Sequence, residues 1–484
     1  MGYRGEATNQ LGAGSLTIID AKSFVNSGAA ALNLGAGIID SNAKLMLISD
    51  HNLKADEHFI AVQADTQQMW QKETYANSSR LLNVSVNNDG ERTTASVSAA
   101  DMNRTLGNIS NATASLLNDM VKTMGVNTNS ANQGQQLISR AGDVRYITDN
   151  VLGGKIIESA LNIASVVGVQ NIAANLGFAA ANSVQQYLSS HRHVKASDDT
   201  DNVWVAPMYG HRRADSFEMG GRDVNTDTNY GGLIIGADHT FADSLAGGDI
   251  RFGLAANVGG GKSKTSNAVS PTENSFDFWG MTLYSAWNSD NFNITADFGF
   301  SKTKHEMKQY VPAALGLSDL KANVDTNLFS TGLRAQYVVS TPAFDVLPHV
   351  GARYLHLNTN DFSTRNAQGE LFSTKGNSQN IWSFPVGVSV YKDMVTKSGL
   401  NVKPVFDLSY IASTGDVRAK SKVSMAGLNQ SVDSGARVMD RSALEGRVGI
   451  ELKKSNYSVG LNYSVQSSPN EMEQGVMATL NLSF

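Results

Sequence analysis

Apolar and polar residues alternate along most of the C-terminal half of the chain. Successive side chains of an extended strand point to opposite faces, so this alternation predicts strands with one apolar and one polar face. The final segment places a set of apolar residues on a single face: Val476, Ala478, Leu480, Leu482 and Phe484. The same pattern recurs over 250–258, 292–301, 402–410, 444–452 and 457–465. Further strands begin near residues 203, 231, 276, 327, 344 and 382, which gives twelve strands in all.

The connections between these strands alternate in length. One set is short and turn-like: 243–248, 288–291, 340–343, 395–399 and 453–456. The intervening set is mostly longer and polar: 214–229, 262–274, 304–324, 361–380 and 414–441. The dyad pattern alone also fits a soluble β-sandwich, but short turns at one end and long loops at the other are required of a transmembrane barrel. The sequence therefore predicts a mainly β fold, with a 12-stranded antiparallel transmembrane β-barrel over residues 201–484.

Charged residues within the strands share the face opposite the apolar one: Arg251, Asp297, Lys403, Asp407, Glu445, Arg447 and Glu451. An Arg or Lys on the lipid face of a barrel costs roughly 2–4 kcal/mol at the bilayer midplane. We therefore predict that these side chains face the lumen. Aromatic residues lie toward the strand ends, as in the girdles of the membrane interfaces: Trp204, Phe300, Trp382, Tyr410 and Phe484.

Helical spacing replaces the alternation after about residue 67. Two groups of apolar residues recur at this spacing: Met102, Leu106, Ile109, Leu116, Leu117 and Met120, and then Leu137, Ile138, Ala141, Val144, Ile147 and Val151. Residues 127–135 read as a linker between the two groups, and Gly153–Gly154 as a break. Residues 67–154 are thus predicted to form a helical and linker region.

A slim helix is predicted from Lys155 to about Ser190. Its apolar residues are four positions apart: Ile172, Leu176, Ala180, Val184 and Leu188. The remaining positions are mainly small or polar, and Asn171, Asn175, Asn182 and Gln186 are candidate pore-helix residues. An ordinary helix of a soluble bundle also fits this pattern, but the position directly before a barrel favours a helix threaded through the lumen. Residues 155–200 are interpreted as this helix and its linker.

Short β-prone segments separated by turn residues occupy the N-terminal region, 1–66: Leu16–Ile19, Ala30–Leu34, Lys44–Ile48 and Phe59–Val62. Regularly spaced strands without intervening helices suit the end of a parallel β-solenoid, in which each rung is buried against the next. A small β-sandwich fragment is the alternative.

Composition narrows the function classes. A chain of 484 residues is too long for a single compact core. A net charge of −5 does not point to a nucleic-acid partner. Cysteine is absent, which suits passage through an oxidising periplasm. No window approaches the roughly 20 apolar residues of a membrane helix, so a membrane location requires a closed barrel. The N-terminus has no apolar core of a secretory signal, and we expect the chain to be the C-terminal portion of a longer gene product.

Two motifs resemble ligand-binding sites, but the residues around them do not support binding. Gly259–Ser263 resembles a phosphate-binding loop, but no helix follows to place its N-terminus behind a phosphate, so a surface loop is expected. His191 and His193 lack a nearby carboxylate or thiol to complete a metal site. No catalytic cluster emerges, and we expect neither an enzyme nor a cofactor or metal.

The order of these segments resembles a known family. A small-residue helix ending in Gln186-Tyr-Leu-Ser-Ser-His-Arg-His leads into Asn202-Val-Trp-Val-Ala-Pro-Met-Tyr-Gly, then twelve alternating strands and the terminal Phe484. This resembles the translocator domain of monomeric (type V) autotransporters of Gram-negative bacteria over 155–484. The Ser15-Leu-Thr-Ile-Ile-Asp-Ala segment is similar, more loosely, to the last rungs of that family's β-solenoid passengers.

The resemblance implies an outer-membrane translocator that exports and anchors its own N-terminal passenger at the cell surface. The barrel-assembly machinery, aided by periplasmic chaperones, would recognise Leu480, Leu482 and Phe484 and insert the barrel as a monomer in outer-membrane lipid. Folding of the solenoid outside would supply free energy, and no nucleotide is needed. Some family members cut themselves at a paired Asn-Asn in the pore helix; Asn171, Asn175 and Asn182 stand singly here, so this cleavage is not expected.

Two other functions remain open at this point. One is a passive, porin-like pore in the outer membrane, and the other is a soluble β-rich adhesin module. Conductance before and after removal of residues 155–195 separates a plugged barrel from a pore, and dependence on detergent separates both from a soluble module.

Overall fold

The computed structural model describes residues 10–11, 16–20, 28–35, 38–39, 44–49, 53–64, 72–107, 109–190, 199–219, 222–266, 268–289 and 291–484. The described residues form a short β-solenoid, a helical region and a closed barrel, in chain order. The predicted mainly β fold is confirmed.

Parallel strands stack at the N-terminal end. The strands are β1 (Gln10–Leu11), β2 (Leu16–Asp20), β3 (Ala30–Gly35), β4 (Ile38–Ile39), β5 (Lys44–Ser49), β6 (His58–Ala64) and β7 (Lys72–Asn77). Strands β2, β5 and β7 pair in parallel, with Leu16 beside Lys44 and Lys44 beside Lys72. Each rung therefore advances the chain by 28 residues. Parallel pairs β1–β4 and β3–β6 form two further sheets, which is the arrangement of a β-solenoid.

The solenoid ends in an antiparallel hairpin. Strands β8 (Leu82–Asn88) and β9 (Arg92–Ala99) pair with each other, and β9 also pairs antiparallel with β6. This hairpin covers an edge that another parallel rung would otherwise occupy. The β structure thus continues to Ala99, and helices begin at Met102, beyond the change of periodicity at residue 67 that the sequence suggested.

Five short helices follow: α1 (Met102–Thr105), α2 (Asn111–Thr123), α3 (Gln133–Ala141), α4 (Asn150–Leu161) and α5 (Ile163–Val166). Each of the first four starts after a side chain that accepts a hydrogen bond from the first turn: Asp101, Ser110, Asn132 and Asp149. The proposed linker 127–135 overlaps the start of α3. In the part of the chain that the structure describes, no helix is long and apolar enough to cross a membrane.

The predicted break at Gly153–Gly154 is wrong, because both glycines lie inside α4. A Cβ atom at Gly153 would lie 2.3 Å from the Ala141 carbonyl oxygen, and one at Gly154 would lie 2.1 Å from that of Leu106. The two glycines therefore let α4 approach its neighbours closely. We call the described residues within 53–167, which pack around one hydrophobic core, the cap.

The long helix predicted from Lys155 is interrupted. After α5 the chain turns at Gly168, whose φ of +66° is in the left-handed region, and α6 (Val169–Ser190) begins. Glycine adopts this conformation without a steric penalty. Helix α6 lies along the barrel strands, while α4 belongs to the cap.

The barrel strands are β10 (Thr200–Met219), β11 (Arg222–Leu245), β12 (Gly248–Thr265), β13 (Thr272–Asn288), β14 (Phe292–Gln309), β15 (Leu320–Tyr337), β16 (Val339–Ser340), β17 (Asp345–Thr359), β18 (Phe362–Arg365), β19 (Glu370–Lys375), β20 (Asn377–Tyr391), β21 (Met394–Val395), β22 (Asn401–Gly415), β23 (Arg418–Ser424), β24 (Ser431–Arg437), β25 (Ser442–Lys454), β26 (Tyr457–Ser467) and β27 (Glu471–Ser483).

Twelve of these described strands close the barrel: β10–β15, β17, β20, β22 and β25–β27. All neighbours are antiparallel, and β27 pairs with β10 from Asn202↔Ser483 to Ala214↔Glu471. Short connections lie at one end, which also holds the start of β10 and the end of β27; we call it the turn end. The twelve-stranded barrel and its short turns are as predicted.

The opposite end, the hairpin end, differs from the prediction. The connections expected to be long polar loops consist largely of strand: β10 and β11 continue to within two residues of each other, and two connections form the hairpins β18–β19 and β23–β24. These strands pair as β15–β18, β19–β23 and β24–β10. Together with β10–β15 they form a closed ring of ten described strands, which we call the upper cylinder.

Gly259–Ser263 belongs to the upper part of β12 and is not a surface loop. A Cβ atom at Gly259 would lie 2.4 Å from Phe278 Cζ, and one at Gly261 would lie 2.5 Å from Phe276 Cζ. The glycines thus make room for two aromatic rings that point into the barrel.

Two belts of exposed aromatic residues encircle the outer face. The belt nearer the hairpin end contains Tyr209, Trp279, Phe329, Trp382, Tyr410 and Tyr463, and the belt at the turn end contains Phe241, Phe252, Phe292, Tyr337, Phe344, Tyr457 and Phe484. The band between them is apolar and mostly aliphatic, with Phe298, Phe384 and Phe406 among its exposed residues, as expected for a lipid-facing surface. Trp204 was predicted to join a belt, but it is 1% exposed and points into the lumen.

Candidate functional site: the occupied barrel lumen

Helix α6 occupies the lumen and lies against one wall. It packs on β13, β14, β15 and β17. Contact is closest at Gly177, where a Cβ atom would lie 2.0 Å from Leu328 Cδ2 on β15. Small residues such as Ala173, Ala174 and Ala181 are almost fully buried along the helix. A slim helix fits here because bulky side chains at these positions would require a wider bore.

Aromatic residues hold the C-terminal end of α6 near the turn end of the barrel. The Tyr187 ring stacks on Trp204 at 4.5 Å between centroids, with an interplanar angle of 14°. Trp204 Nε1–H donates to the Tyr284 hydroxyl (2.8 Å), which donates in turn to Asp238 Oδ2 (2.8 Å). Arg251 Nε lies 3.4 Å from the other oxygen of Asp238. We call Tyr187, Trp204, Tyr284, Asp238 and Arg251 the aromatic latch.

A polar contact also fixes the C-terminal half of the helix to the same wall. Gln185 Nε2–H donates to Asp297 Oδ2 (3.3 Å), and Gln185 Oε1 accepts from the Thr295 hydroxyl (2.8 Å). Asp297 also forms a bidentate ion pair with Arg353, with N–O distances of 2.8 and 2.7 Å. Bidentate pairing satisfies both charges in a fixed geometry, so it gives α6 a rigid surface on which to rest.

The N-terminal end of α6 lies toward the hairpin end. Asn171 Nδ2–H donates to the Val438 carbonyl (2.8 Å) and to Glu471 Oε1 (2.7 Å). Arg212 Nη1 lies 4.0 Å from Glu471 Oε2. Asn171 is therefore held by the wall, whereas the other three predicted pore-helix residues line a cavity.

Cavities separate the far side of α6 from the opposite wall. Asn175, Asn182 and Gln186 line one cavity, across which lie Glu445 and Glu473. A neighbouring cavity reaches Arg334, Asp407 and Arg447. The polar lining of both keeps this side of the lumen suitable for water.

All seven charged residues predicted to face the lumen point inward. Asp297 accepts a hydrogen bond from Gln185 of α6, and Arg251 belongs to the aromatic latch. Asp407 is shared by Arg334 (3.2 Å), Arg447 (3.7 Å) and the hydroxyl of Ser409 (3.0 Å). Lys403 Nζ lies 4.7 Å from the centre of the Tyr391 ring, Glu445 lines the two cavities, and Glu451 lines a third beside Gln186. The structure thus brings oppositely charged residues together on the lumen wall.

The predicted assembly residues lie on the outer face of the closing strand. Leu480 and Phe484 are 50% and 70% exposed, and Leu482 points the same way. Phe484 N–H donates to the Asp201 carbonyl (2.9 Å), so the last residue is part of the β10–β27 seam.

Groups of three or more His, Cys, Asp or Glu able to hold a metal ion are absent from the described part of the chain. His191 and His193 lie outside the described residues.

Sequence reasoning missed Gln185, Tyr187 and the inward position of Trp204. The strand alternation places Trp204 on the face shared by Asn202 and Met208, which points inward in the structure, so this residue was accessible to prediction. Gln185 carried no such signal, because the lumen wall is polar and a polar helix face does not distinguish wall from water.

The autotransporter β-domain family profile matches residues 203–464. No curated protein sequence gives a significant match. The solved structures that are similar to this chain include three from autotransporters. The transport unit of the autotransporter AIDA-I from Escherichia coli is 18% identical, with a TM-score of 0.45, and the match covers 58% of this chain and 90% of that one.

The translocator domain of the autotransporter NalP from Neisseria meningitidis is 13% identical, with a TM-score of 0.47 and coverage of 66% and 100%. The β-domain of the Bordetella autotransporter BrkA is 11% identical, with a TM-score of 0.44 and coverage of 58% and 98%. Since the family profile spans more than half of the 484 residues and falls on the twelve-stranded barrel, the chain belongs to the autotransporter β-domain family, whose barrels are outer-membrane proteins.

Proposed function

We propose that this barrel exports the part of the chain that precedes α6 and then anchors it at the cell surface. One observation carries the proposal: α6 runs through the lumen, with Tyr187 near the turn end and Asn171 near the hairpin end. The cap and the solenoid precede α6 and lie on the hairpin side. If the turn end faces the periplasm, as short connections do in such barrels, both are outside the cell.

The occupied lumen distinguishes this function from a passive pore. Helix α6 rests on one wall through Gly177, Gln185 and Tyr187, and cavities with polar residues in their lining lie on its other side. A porin-like channel needs a wider open path, so the barrel serves passage of its own chain.

Assembly and energetics follow the same scheme. The outward-facing Leu480, Leu482 and Phe484 are the residues that we assign to recognition by the barrel-assembly machinery, after periplasmic chaperones have kept the chain unfolded. A single chain closes the barrel through β10 and β27, so a monomer suffices. Export uses no nucleotide, and the protein acts without catalysis.

The cysteine-free sequence permits a direct test. Lys122 is exposed on α2 of the cap, and Lys397 is exposed in a turn at the other end of the barrel. Lys122→Cys is expected to react with a membrane-impermeant maleimide on intact cells, whereas Lys397→Cys reacts only after the outer membrane is permeabilised. Labelling of Lys397→Cys alone on intact cells, or of neither variant before permeabilisation, would contradict the proposal.

A further inference from the structure

The apolar outer face of the barrel continues into one connection at the turn end, between β20 and β22. Met394 of β21 pairs with Val402, and Val402 pairs with Leu452. These three side chains form one row, which extends the lipid-facing surface to the edge of the barrel. The next residue, Val395, is 74% exposed, the highest fraction among the large apolar side chains of the described residues.

Hydrogen bonds hold this connection in a fixed shape. The Thr396 amide donates to the Leu400 carbonyl (2.9 Å), and the Leu400 amide donates to Thr396 Oγ1 (3.1 Å). Asn401 Nδ2–H donates to Asp393 Oδ1 (3.3 Å), and Asn401 also pairs with Val395. The exposed position of Val395 is therefore set by an ordered turn.

Three lysines surround this apolar tip. Lys392 directly follows the inward-facing Tyr391 and is exposed. Lys454 lies two positions beyond the outward-facing Leu452 and shares its face. Lys397 is exposed within the turn itself, and in the part of the chain that the structure describes the three amino groups form no ion pair. We call residues 392–400 together with Lys454 the basic turn.

The opposite side of the twelve-stranded ring carries the other sign of charge. The turn between β11 and β12 also exposes an apolar side chain, Leu245. Its charged neighbours are carboxylates: Asp243 is exposed in the same turn, and Asp199 accepts a hydrogen bond from the Ala242 amide (3.0 Å). The two turns thus match in apolar exposure and differ in charge.

We propose that the basic turn binds the phosphate headgroup of an anionic glycerophospholipid in the leaflet at the turn end. An exposed apolar residue flanked by lysines suits the bilayer interface, because the apolar side chain reaches the acyl boundary while the ammonium groups contact phosphates. Unpaired ammonium groups favour a headgroup with net negative charge over a zwitterionic one. A soluble acidic protein would fit the lysines but not Met394, which lies in the lipid-facing row.

A fluorescent reporter in the turn tests the lipid preference. The full, cysteine-free chain with Ser398→Cys is labelled with bimane, refolded to the heat-modifiable form and placed in nanodiscs of phosphatidylcholine. About a tenth of the lipid is either phosphatidylglycerol or phosphatidylcholine, spin-labelled near the headgroup. We expect phosphatidylglycerol to quench about three times as strongly, because the lysines concentrate it at the turn.

The acidic turn supplies a matched control for the reporter. Ser244 is exposed beside Asp243, and bimane on Ser244→Cys is expected to show no preference for phosphatidylglycerol. Both reporters are read in the same nanodiscs, where neither export nor the orientation of the barrel in a cell matters. The lipid preference and the proposed function therefore fail separately.

Removal of the three charges is expected to abolish the preference. With Lys392→Gln, Lys397→Gln and Lys454→Gln combined, the ratio of the two quenching efficiencies at Ser398→Cys should fall to about one. Raising the salt from about 0.1 M to about 1 M shortens the screening length from about 10 Å to about 3 Å, so the ratio of the parent should fall as well. The control combination removes the same number of charges from the outer face near the hairpin end and should keep the ratio: Lys302→Gln, Lys304→Gln and Lys308→Gln.

Val395→Thr separates depth from charge. It keeps the branched shape of the side chain and the pairing with Asn401, but it makes the tip polar, so both lipids should quench less at an unchanged ratio. Equal quenching by the two lipids at Ser398→Cys, quenching by neither, or a ratio that survives loss of the three lysines would overturn the proposal. The same preference for phosphatidylglycerol at Ser244→Cys would overturn it too, since the lipid would then collect around the whole rim.

Discussion

The Tyr187 ring stacks on the Trp204 ring with 4.5 Å between their centroids. This contact joins the last turns of α6 to the first barrel strand, and Trp204 passes the connection on to Tyr284 and Asp238 through hydrogen bonds. The aromatic latch therefore fixes how far α6 has advanced through the lumen. We interpret it as the position at which the chain comes to rest.

Loss of the aromatic latch is expected to weaken the contact between α6 and the lumen wall. Tyr187→Ala removes a buried ring, and such truncations cost about 3–5 kcal/mol, so α6 should leave the wall more often. Single-channel recordings in planar bilayers are expected to show longer and larger open events than for the unmodified protein. Tyr463→Ala, which alters an exposed ring on the outer face, serves as the control. Equal conductance in Tyr187→Ala and the control would show that the latch does not hold the helix.

Overpacking the helix–wall contact is expected to have a similar effect by another route. Gly177→Leu places a branched side chain where even a Cβ atom lies 2.0 Å from Leu328 Cδ2, and overpacking typically costs about 1–3 kcal/mol. We expect raised conductance together with faster hydrogen exchange in α6. Ala179→Leu, on the cavity side, adds the same branched side chain where the helix borders a cavity. Should both variants behave alike, the off-centre position of α6 would be wrong.

The Asp297–Arg353 pair is expected to stabilise the barrel because it is buried. Asp297→Asn leaves the Arg353 charge without its partner, and breaking a buried pair costs about 3–5 kcal/mol. Asp325, which lies 2.7 Å from Lys302 on the outer face, is 33% exposed; Asp325→Asn should cost at most about 1 kcal/mol. The urea concentration at which half of the folded, heat-modifiable gel band is lost measures the stability of both variants. A larger shift for Asp325→Asn would reverse the assignment of inner and outer faces.

The base of the β18–β19 hairpin is expected to respond to acid. A hydrogen bond from Lys375, followed by one from the Gly376 amide, lowers the pKa of Asp361 below its ordinary value of 3.8. The folded state therefore favours the carboxylate, and its stabilising contribution is present above pH 3.8 and is lost as the pH falls through the lowered pKa. Protection of the Gly376 amide should decrease in that range. The Gly369 amide, which donates to the non-titrating Asn366 side chain, should not show this step.

Phe484 is expected to matter for assembly more than for stability. Its side chain is 70% exposed, so Phe484→Ala should leave the urea midpoint of the purified barrel within about 0.5 kcal/mol of the parent. Assembly in cells should slow, as measured by the appearance of the heat-modifiable form in a pulse–chase experiment. Unchanged assembly together with a lowered midpoint would give Phe484 a purely structural role.

The barrel was largely predictable from sequence because a strand between lipid and water must alternate. Val203, Val205 and Tyr209 face outward, and Arg251 and Asp297 face inward, as this constraint requires. The constraint ends at the aromatic belt near the hairpin end. Above it both faces meet water or the cap, so polar strands such as those around 214–229 looked like loops.

The start of α6 and its position in the lumen were less predictable from the sequence. Helical spacing identified α6, but the breaks at Asn162 and Gly168 depend on how the cap meets the cylinder. Gly153 and Gly154 illustrate the same limit: glycine reads as a helix breaker by propensity, whereas here close packing against Ala141 and Leu106 requires it. Such tertiary contacts leave no periodic signal in the sequence.

A single engineered disulfide tests the central claim, that the chain passes through its own barrel. A Cβ atom at Gly177 would lie 3.4 Å from Leu328 Cγ, so Gly177→Cys with Leu328→Cys is expected to form an intramolecular disulfide in the folded, heat-modifiable protein. Gly177→Cys with Phe329→Cys, whose ring faces outward, should remain reduced. A disulfide formed as readily in the second pair as in the first, or in neither, would contradict a helix lodged in the lumen.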